Sequence, residues 1–309
     1  MQSCRPDAWR QVSAVLINKK RRHHLELKEN LHNANLKGKI VTRCRPAEKV
    51  IREILDSLSD HTVFAYLDPF ASPEFDIVKP FLLRSRRFST EVVINLNAGI
   101  MHRLAATQAS KARRSAETVQ RLNTKLTAIL GGQYWRPIFE DDSMSPEEKV
   151  VAVASQYRRQ LAQYLPHTGC CPVRWTSSGP IKYFIVFCSR HEDGMLLMND
   201  TMFRAYNQGL HKADTQGTLF ELFDWRIYRF VVDPPPIDLE AAIVEEVKSN
   251  PRQSRKRTWI ALVQKYFMAF DQTGYKKAVQ ELVSDGILGF VDVRHTRKLN
   301  DDSLLYIDA

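Results

Sequence analysis

Strand-sized apolar runs alternate with helical segments over residues 13–97, and this alternation constrains the fold more than any other feature of the chain. Ser13–Asn18 and Lys39–Thr42 are short apolar runs, and Arg21–Asn35 between them has helical character, with Leu25, Leu27 and Leu31 recurring. Pro46–Leu58 is an amphipathic helix with Val50, Ile51, Ile54, Leu55 and Leu58 on one stripe and proline in its first turn. Thr62–Leu67 and Glu91–Leu96 are two more strands, joined through a helix over Phe75–Leu83 that contains Pro80. Such a pattern predicts βαβ units and a parallel sheet. In sheets of this kind ligands bind beyond the carboxyl ends of the strands, where Asp68 and Asn97 fall.

Farther along, Ala98–Leu130 reads as helical, with a basic segment at Lys111–Arg114, and Gly131-Gly132 ends it. Ser145–Tyr164 is a helix opened by Ser-Pro-Glu-Glu. Val173–Thr176 and Lys182–Cys188 read as a hairpin around Ser177–Pro180, which adds an antiparallel edge to the sheet. Gly194–Gly209 is one more helix. Pro234-Pro235-Pro236 is the expected boundary between residues 1–233 and 234–309, because three prolines continue neither a helix nor a central strand. Beyond it come helices at Leu239–Val247, within Arg255–Phe270 and at Tyr275–Ser284. Short strands at Gly286–Val293 and Leu304–Ile307 follow, in the order of a winged helix.

A formal charge of +10 favours polyanionic partners. No apolar stretch approaches the length of a membrane span, and the N-terminus carries no apolar signal region, so a cytoplasmic protein without membrane contact is expected. The five cysteines are odd in number and Cys170 and Cys171 are adjacent, which fits reduced thiols. Cys188 and His191, like His167 and Cys170, have two residues between them, a spacing zinc sites use. Cys188 and His191 straddle a strand end, however, and no metal is expected.

Several of these segments together resemble the three-Cys-motif partner protein family. They are Leu67-Asp68-Pro69-Phe70, Val92–Asn97, Gly131-Gly132 with Trp135, Tyr183–Phe187, and His191 with Gly194-Met195 and Met198-Asn199-Asp200. The resemblance covers roughly residues 13–205, and the C-terminal helices are similar to the family's winged-helix tail. It implies a Rossmann-like, class I methyltransferase-type fold. It also implies a bacterial or phage-associated setting and association with a three-Cys-motif protein that looks radical-SAM-like.

The chain departs from that family at the cofactor site. Aligned by the resemblance, Ser13–Asn18 is the family's second strand, and the acidic residue expected at its end is Asn18. No glycine precedes Gly38, so the glycine loop is not found and no cofactor is expected. The family's first strand is central, and its loss would leave backbone groups to be paired in some other way. Asp68-Pro69-Phe70 sits where base-modifying methyltransferases carry an Asp/Asn-Pro-Pro-aromatic motif. If the protein is active, these three residues are catalytic and S-adenosylmethionine is the cofactor.

The C-terminal segment supplies the nucleic-acid candidates. Tyr275, Lys276 and Lys277 open the third helix. Arg294, Arg297 and Lys298 lie at the wing tip, and Arg255 and Arg257 precede the second helix, placed to neutralise phosphates. The basic run Lys19–His24 starts a helix, where positive charge opposes the macrodipole. Phosphate contact and a solvated helix start both remain open for it. The expected protein is therefore a nucleic-acid-associated binding protein, DNA favoured over RNA, with a degenerate methyltransferase-like domain. The alternative is an active S-adenosylmethionine-dependent DNA or RNA methyltransferase.

Overall fold

The computed structural model describes residues 13–34, 39–67, 72–83, 89–103, 116–174, 179–215, 231–232, 237–293 and 298–307. It is a mixed α/β structure in two compact units, residues 1–61 with 76–87, and residues 62–75 with 88–309. In the first unit β1 (Ser13–Ile17) and β2 (Lys39–Arg43) pair in parallel, Ser13 opposite Lys39 and Ile17 opposite Arg43. Helix α1 (Arg21–Asn33) connects them. Its N-terminus has neither a side-chain cap nor an acidic residue in the first turn, and its one buried residue is His24. Lys19, Lys20, Arg21 and Arg22 at its start are exposed. Helix α2 (Ala47–Ser57) buries Val50, Ile51 and Leu55, as the apolar stripe predicts.

The second unit is built on a five-stranded sheet in the order β3-β4-β6-β5-β7. Its strands are β3 (Val63–Leu67), β4 (Thr90–Asn97), β5 (His167–Arg174), β6 (Ile181–Ser189) and β7 (Val231–Val232). β3 and β4 are parallel, and every other pairing is antiparallel. The single parallel sheet expected across residues 13–97 is therefore divided. β1–β2 and β3–β4 are each parallel pairs, but they belong to separate sheets, and no strand among the described residues joins them. The strand expected at Val173–Thr176 begins earlier, at His167. Gly169 and Pro172 disguise it, since both residue types are depleted in strands. Gly169 is required by packing, because a Cβ there would fall on the Phe267 ring.

Helix α3 (Phe75–Leu83) carries Pro80 inside it. Residues 99–103 are helical and α4 spans Ala116–Leu130, while the intervening Lys111–Arg114 lies outside the described residues. Gly131 ends α4 in the left-handed region, at φ 68°, with the Phe75 ring where a Cβ would stand. A short helix the sequence did not announce, α5 (Trp135–Glu140), follows. α6 (Pro146–Ala162) opens with a full capping box, Ser145 Oγ accepting from Glu148 N and Glu148 accepting from Ser145 N. It buries Val150, Val153, Ala154, Tyr157 and Leu161 on one face.

After β6 comes α7 (Glu192–Thr215), then α8 (Leu239–Ser249), α9 (Arg255–Lys265) and α10 (Gln272–Ser284). Asp238, Ser254 and Asp271 cap the last three, each side chain accepting from the backbone N–H three residues on. An antiparallel ribbon, β8 (Gly289–Val291) with β9 (Leu304–Tyr306), completes the chain, and Ser254 bridges to Leu304. The prolines at 234–236 lie outside the described residues. Across them runs one apolar core, in which Trp259, Val263, Phe267, Tyr275 and Leu282 pack in a cluster with Cys171, Phe187, Met195 and Leu196. The Phe187 and Phe267 rings stack at 6.2 Å, nearly parallel at 3°.

Candidate nucleic-acid interface

Asp68, Pro69 and Phe70 lie outside the described residues, as do Arg294 and Arg297. The carboxyl end of β4 is firmly braced. Ser72 Oγ accepts from Asn97 N at 2.6 Å, and Asn97 Oδ1 accepts from Gly99 N at 2.7 Å. The His102 ring nitrogen Nε2 lies 2.9 Å from the Ile181 carbonyl, and Ala98 N donates to Lys182 O. Asn97 therefore turns its side chain onto its own loop, which leaves less of it for a ligand.

Two of the expected nucleic-acid contacts are core residues. Tyr275 is 1% exposed, its ring stacks over Trp259 at 6.2 Å, and its hydroxyl donates to Arg255 O at 2.8 Å. Burial pushes that hydroxyl far above the ordinary tyrosine range. Arg255 is 8% exposed and spends its guanidinium on Asp301. Helical spacing turns Tyr275 inward together with Ala278, Val279 and Leu282, so neither it nor Arg255 presents a surface to a polyanion.

The cations that follow Arg255 are matched by acids at the start of α7. Arg257 Nη1 lies 3.2 Å from Glu192 Oε2. Lys256 Nζ lies 2.9 Å from Glu192 Oε1 and 3.1 Å from Asp193 Oδ1. Two cations face two carboxylates, which leaves little positive field there for phosphate. Lys276 and Lys277, on the first turns of α10, are different. Lys276 forms no ion pair among the described residues, and Lys277 is 76% exposed with only Glu281 at 3.6 Å, a pair that solvent screens. Lys298 is exposed at the foot of the ribbon turn.

Asn199 and Asp200, which the sequence offered only as part of the resemblance, have a structural task. Asn199 is fully buried in α7, donating from Nδ2 to Phe270 O at 2.8 Å and accepting at Oδ1 from Met268 N at 2.7 Å. Its neighbour Asp200 accepts from Gln272 N at 3.1 Å. Together they clamp the turn between α9 and α10, where Met268 holds the left-handed backbone at φ 68°. The available signal was an Asn-Asp pair between Met198 and Met202 on an otherwise apolar helix face.

Burial raises the Asp200 carboxyl above the ordinary carboxylate range. A raised folded-state pKa means that the fold binds this proton more tightly than the unfolded chain does. Its contribution to stability is thus present below the unfolded pKa and is lost as pH rises through the folded one. The stability of the native chain relative to Asp200→Asn is expected to fall as pH rises from below the ordinary carboxylate range through the raised folded-state pKa, measured by urea denaturation at each pH. A difference that stays flat across that range refutes the assignment.

Cys188 is fully buried, and burial pushes its thiol up to about 12, so it stays protonated at neutral pH. Among the described residues no three His, Cys, Asp or Glu side chains converge to hold a metal ion. No helix among the described residues is long and apolar enough to cross a membrane. No family profile, curated protein or solved structure matches the chain.

Proposed function

We propose that this chain is a nucleic-acid-associated binding protein of the three-Cys-motif partner type. In this reading a methyltransferase-like sheet acts as scaffold and a C-terminal winged helix binds the polyanion. The strand order β3-β4-β6-β5, with β6 antiparallel to both neighbours, supports the methyltransferase-like half of the reading. Three capped helices, a two-stranded ribbon and the Ser254–Leu304 bridge support the winged helix. The observation that carries the function is the placement of Lys276 and Lys277. They stand at the N-terminal, positive end of α10, Lys277 opposite the face that Tyr275, Val279 and Leu282 anchor and Lys276, half-buried, on its flank.

Binding to duplex DNA, measured against salt concentration, tests this. Lys276→Ala with Lys277→Ala is expected to weaken binding and to make the salt slope shallower by about two, as loss of two phosphate contacts requires. An unchanged slope removes α10 from the interface. The same titration on RNA decides between the two nucleic acids. Co-purification with a three-Cys-motif, radical-SAM-like protein tests the partner that the resemblance implies.

The degenerate cofactor site has local support. Asn18, where an acid would hold a ribose, instead accepts from Lys20 N at 3.2 Å at the start of α1. The alternative, an active S-adenosylmethionine-dependent methyltransferase using Asp68, Pro69 and Phe70, is favoured by the parallel β3–β4 pair. That pair brings the carboxyl ends of two strands side by side, the usual ligand position in such sheets. Calorimetric binding of S-adenosylmethionine to the full chain would establish it over the binding-protein reading, with Asp68→Ala as the next variant.

A further inference from the structure

A pocket of about 610 Å³ opens between the first turns of α4 and the start of α5. That volume suits a ligand larger than a simple inorganic anion. Gln120, Asn123, Thr124, Gln133 and Arg136 line it, and no acidic residue among the described ones does. None of these five side chains hydrogen-bonds or ion-pairs with a described residue. Thr127, also in the wall, is already engaged, accepting from Trp135 Nε1 at 3.2 Å.

Two atoms sharpen the picture. Arg136 Nε is a buried donor without a partner, and Asn123 Oδ1 is a buried acceptor without one. Buried polar groups are ordinarily paired, so an unpaired donor and an unpaired acceptor in one pocket call for a ligand that offers the complement of each. The Arg136 guanidinium is also held in place, 5.1 Å over the Trp135 ring. A cation that is preorganised and has no counter-charge among the described residues selects an anion. The amides of Gln120, Asn123 and Gln133 suit the mixed donor and acceptor edge of a base, and Val119 and Ala116 offer an apolar surface for its flat face.

We infer that this pocket binds a nucleotide, with its phosphate on Arg136 and its base edge on the amides of α4. The choice of a nucleotide over another organic anion rests on the nucleic-acid reading above; the pocket is distinct from α10. The nucleotide is either free or an unstacked member of a single strand, and the chemistry recognised is the same in both.

Calorimetry on the full chain tests the inference, with adenosine and uridine 5′-monophosphates, inorganic phosphate as control, and a short single-stranded oligonucleotide. A mononucleotide is expected to bind at one site, more tightly than inorganic phosphate. Arg136→Met and Asn123→Leu are each expected to weaken it about tenfold or more. Neither change should lower the melting temperature appreciably, since neither side chain hydrogen-bonds or ion-pairs with a described residue and Met keeps an apolar stem beside Trp135, and this separates a binding role from a structural one. Mononucleotide binding should survive Lys276→Ala with Lys277→Ala, so failure of the α10 interface and failure of the pocket are read separately. Oligonucleotide binding that also weakens in Arg136→Met assigns the site to a strand, and an effect on mononucleotides alone assigns it to a free nucleotide. No heat from either mononucleotide at millimolar concentration overturns the inference, as does equal affinity for inorganic phosphate or indifference to both variants.

Discussion

Asn199→Ala is expected to destabilise the protein by about 3 kcal/mol. The side chain is fully buried and satisfies two backbone groups of the α9–α10 turn, the N–H of Met268 and the carbonyl of Phe270. Alanine leaves both groups buried and unpaired, each at about 1–3 kcal/mol. It also releases the residue with positive φ, Met268, whose conformation the surroundings must impose. Equilibrium denaturation in urea measures the loss, and hydrogen exchange at residues 268–272 locates it. A change below about 1 kcal/mol would mean that the turn is held by its apolar residues alone. Asp200 is also buried but serves one backbone group of the turn, the N–H of Gln272, so its removal is expected to matter less.

Gly169→Ala is the second large effect, at about 3 kcal/mol, and it acts through overpacking. The Cβ would land on the Phe267 ring. That ring is 2% exposed and stacked on Phe187, so it has nowhere to move without opening the core beneath α9 and α10. Phe267→Leu, costly by itself, should cost less when combined with Gly169→Ala, because the smaller residue leaves room for the added methyl. A double-mutant cycle measures this coupling, and strict additivity would show that residues 169 and 267 do not share one space. The two predictions concern the same junction. Asn199 holds the turn by hydrogen bonds, and Gly169 admits its aromatic anchor.

This junction bears on function because it orients α10. The lysine pair proposed to meet nucleic acid sits at the start of that helix, directly after the turn that Asn199 and Asp200 hold. Loosening the turn should therefore reduce nucleic-acid binding even though neither residue carries positive charge. The acids at the start of α7 act in the opposite direction. Glu192 and Asp193 neutralise Lys256 and Arg257, which takes α9 out of the positive surface that α10 offers.

The sequence by itself determined where most elements begin and end, because those signals are local. Alternating apolar runs mark β1 to β4, Ser145-Pro146 opens α6, Gly131 closes α4, and the three helices after the prolines follow their periodicity. Local signals failed where a distant residue sets the requirement. Gly169 looks like a strand breaker until Phe267 is seen lying on it. Tyr275 and Arg255 look like groove contacts until Trp259 and Asp301 are seen to claim them. Asn199 looks like an ordinary polar helix residue until the turn at 268–270 closes over it. Only the tertiary structure decided which cations are neutralised and which polar atoms stay unpaired in the α4–α5 pocket, and it alone separated the two parallel strand pairs into different sheets. The physical reason is the same in each case. Helix and strand formation depends on neighbours along the chain, whereas burial, ion pairing and ladder partners depend on residues that folding alone brings together.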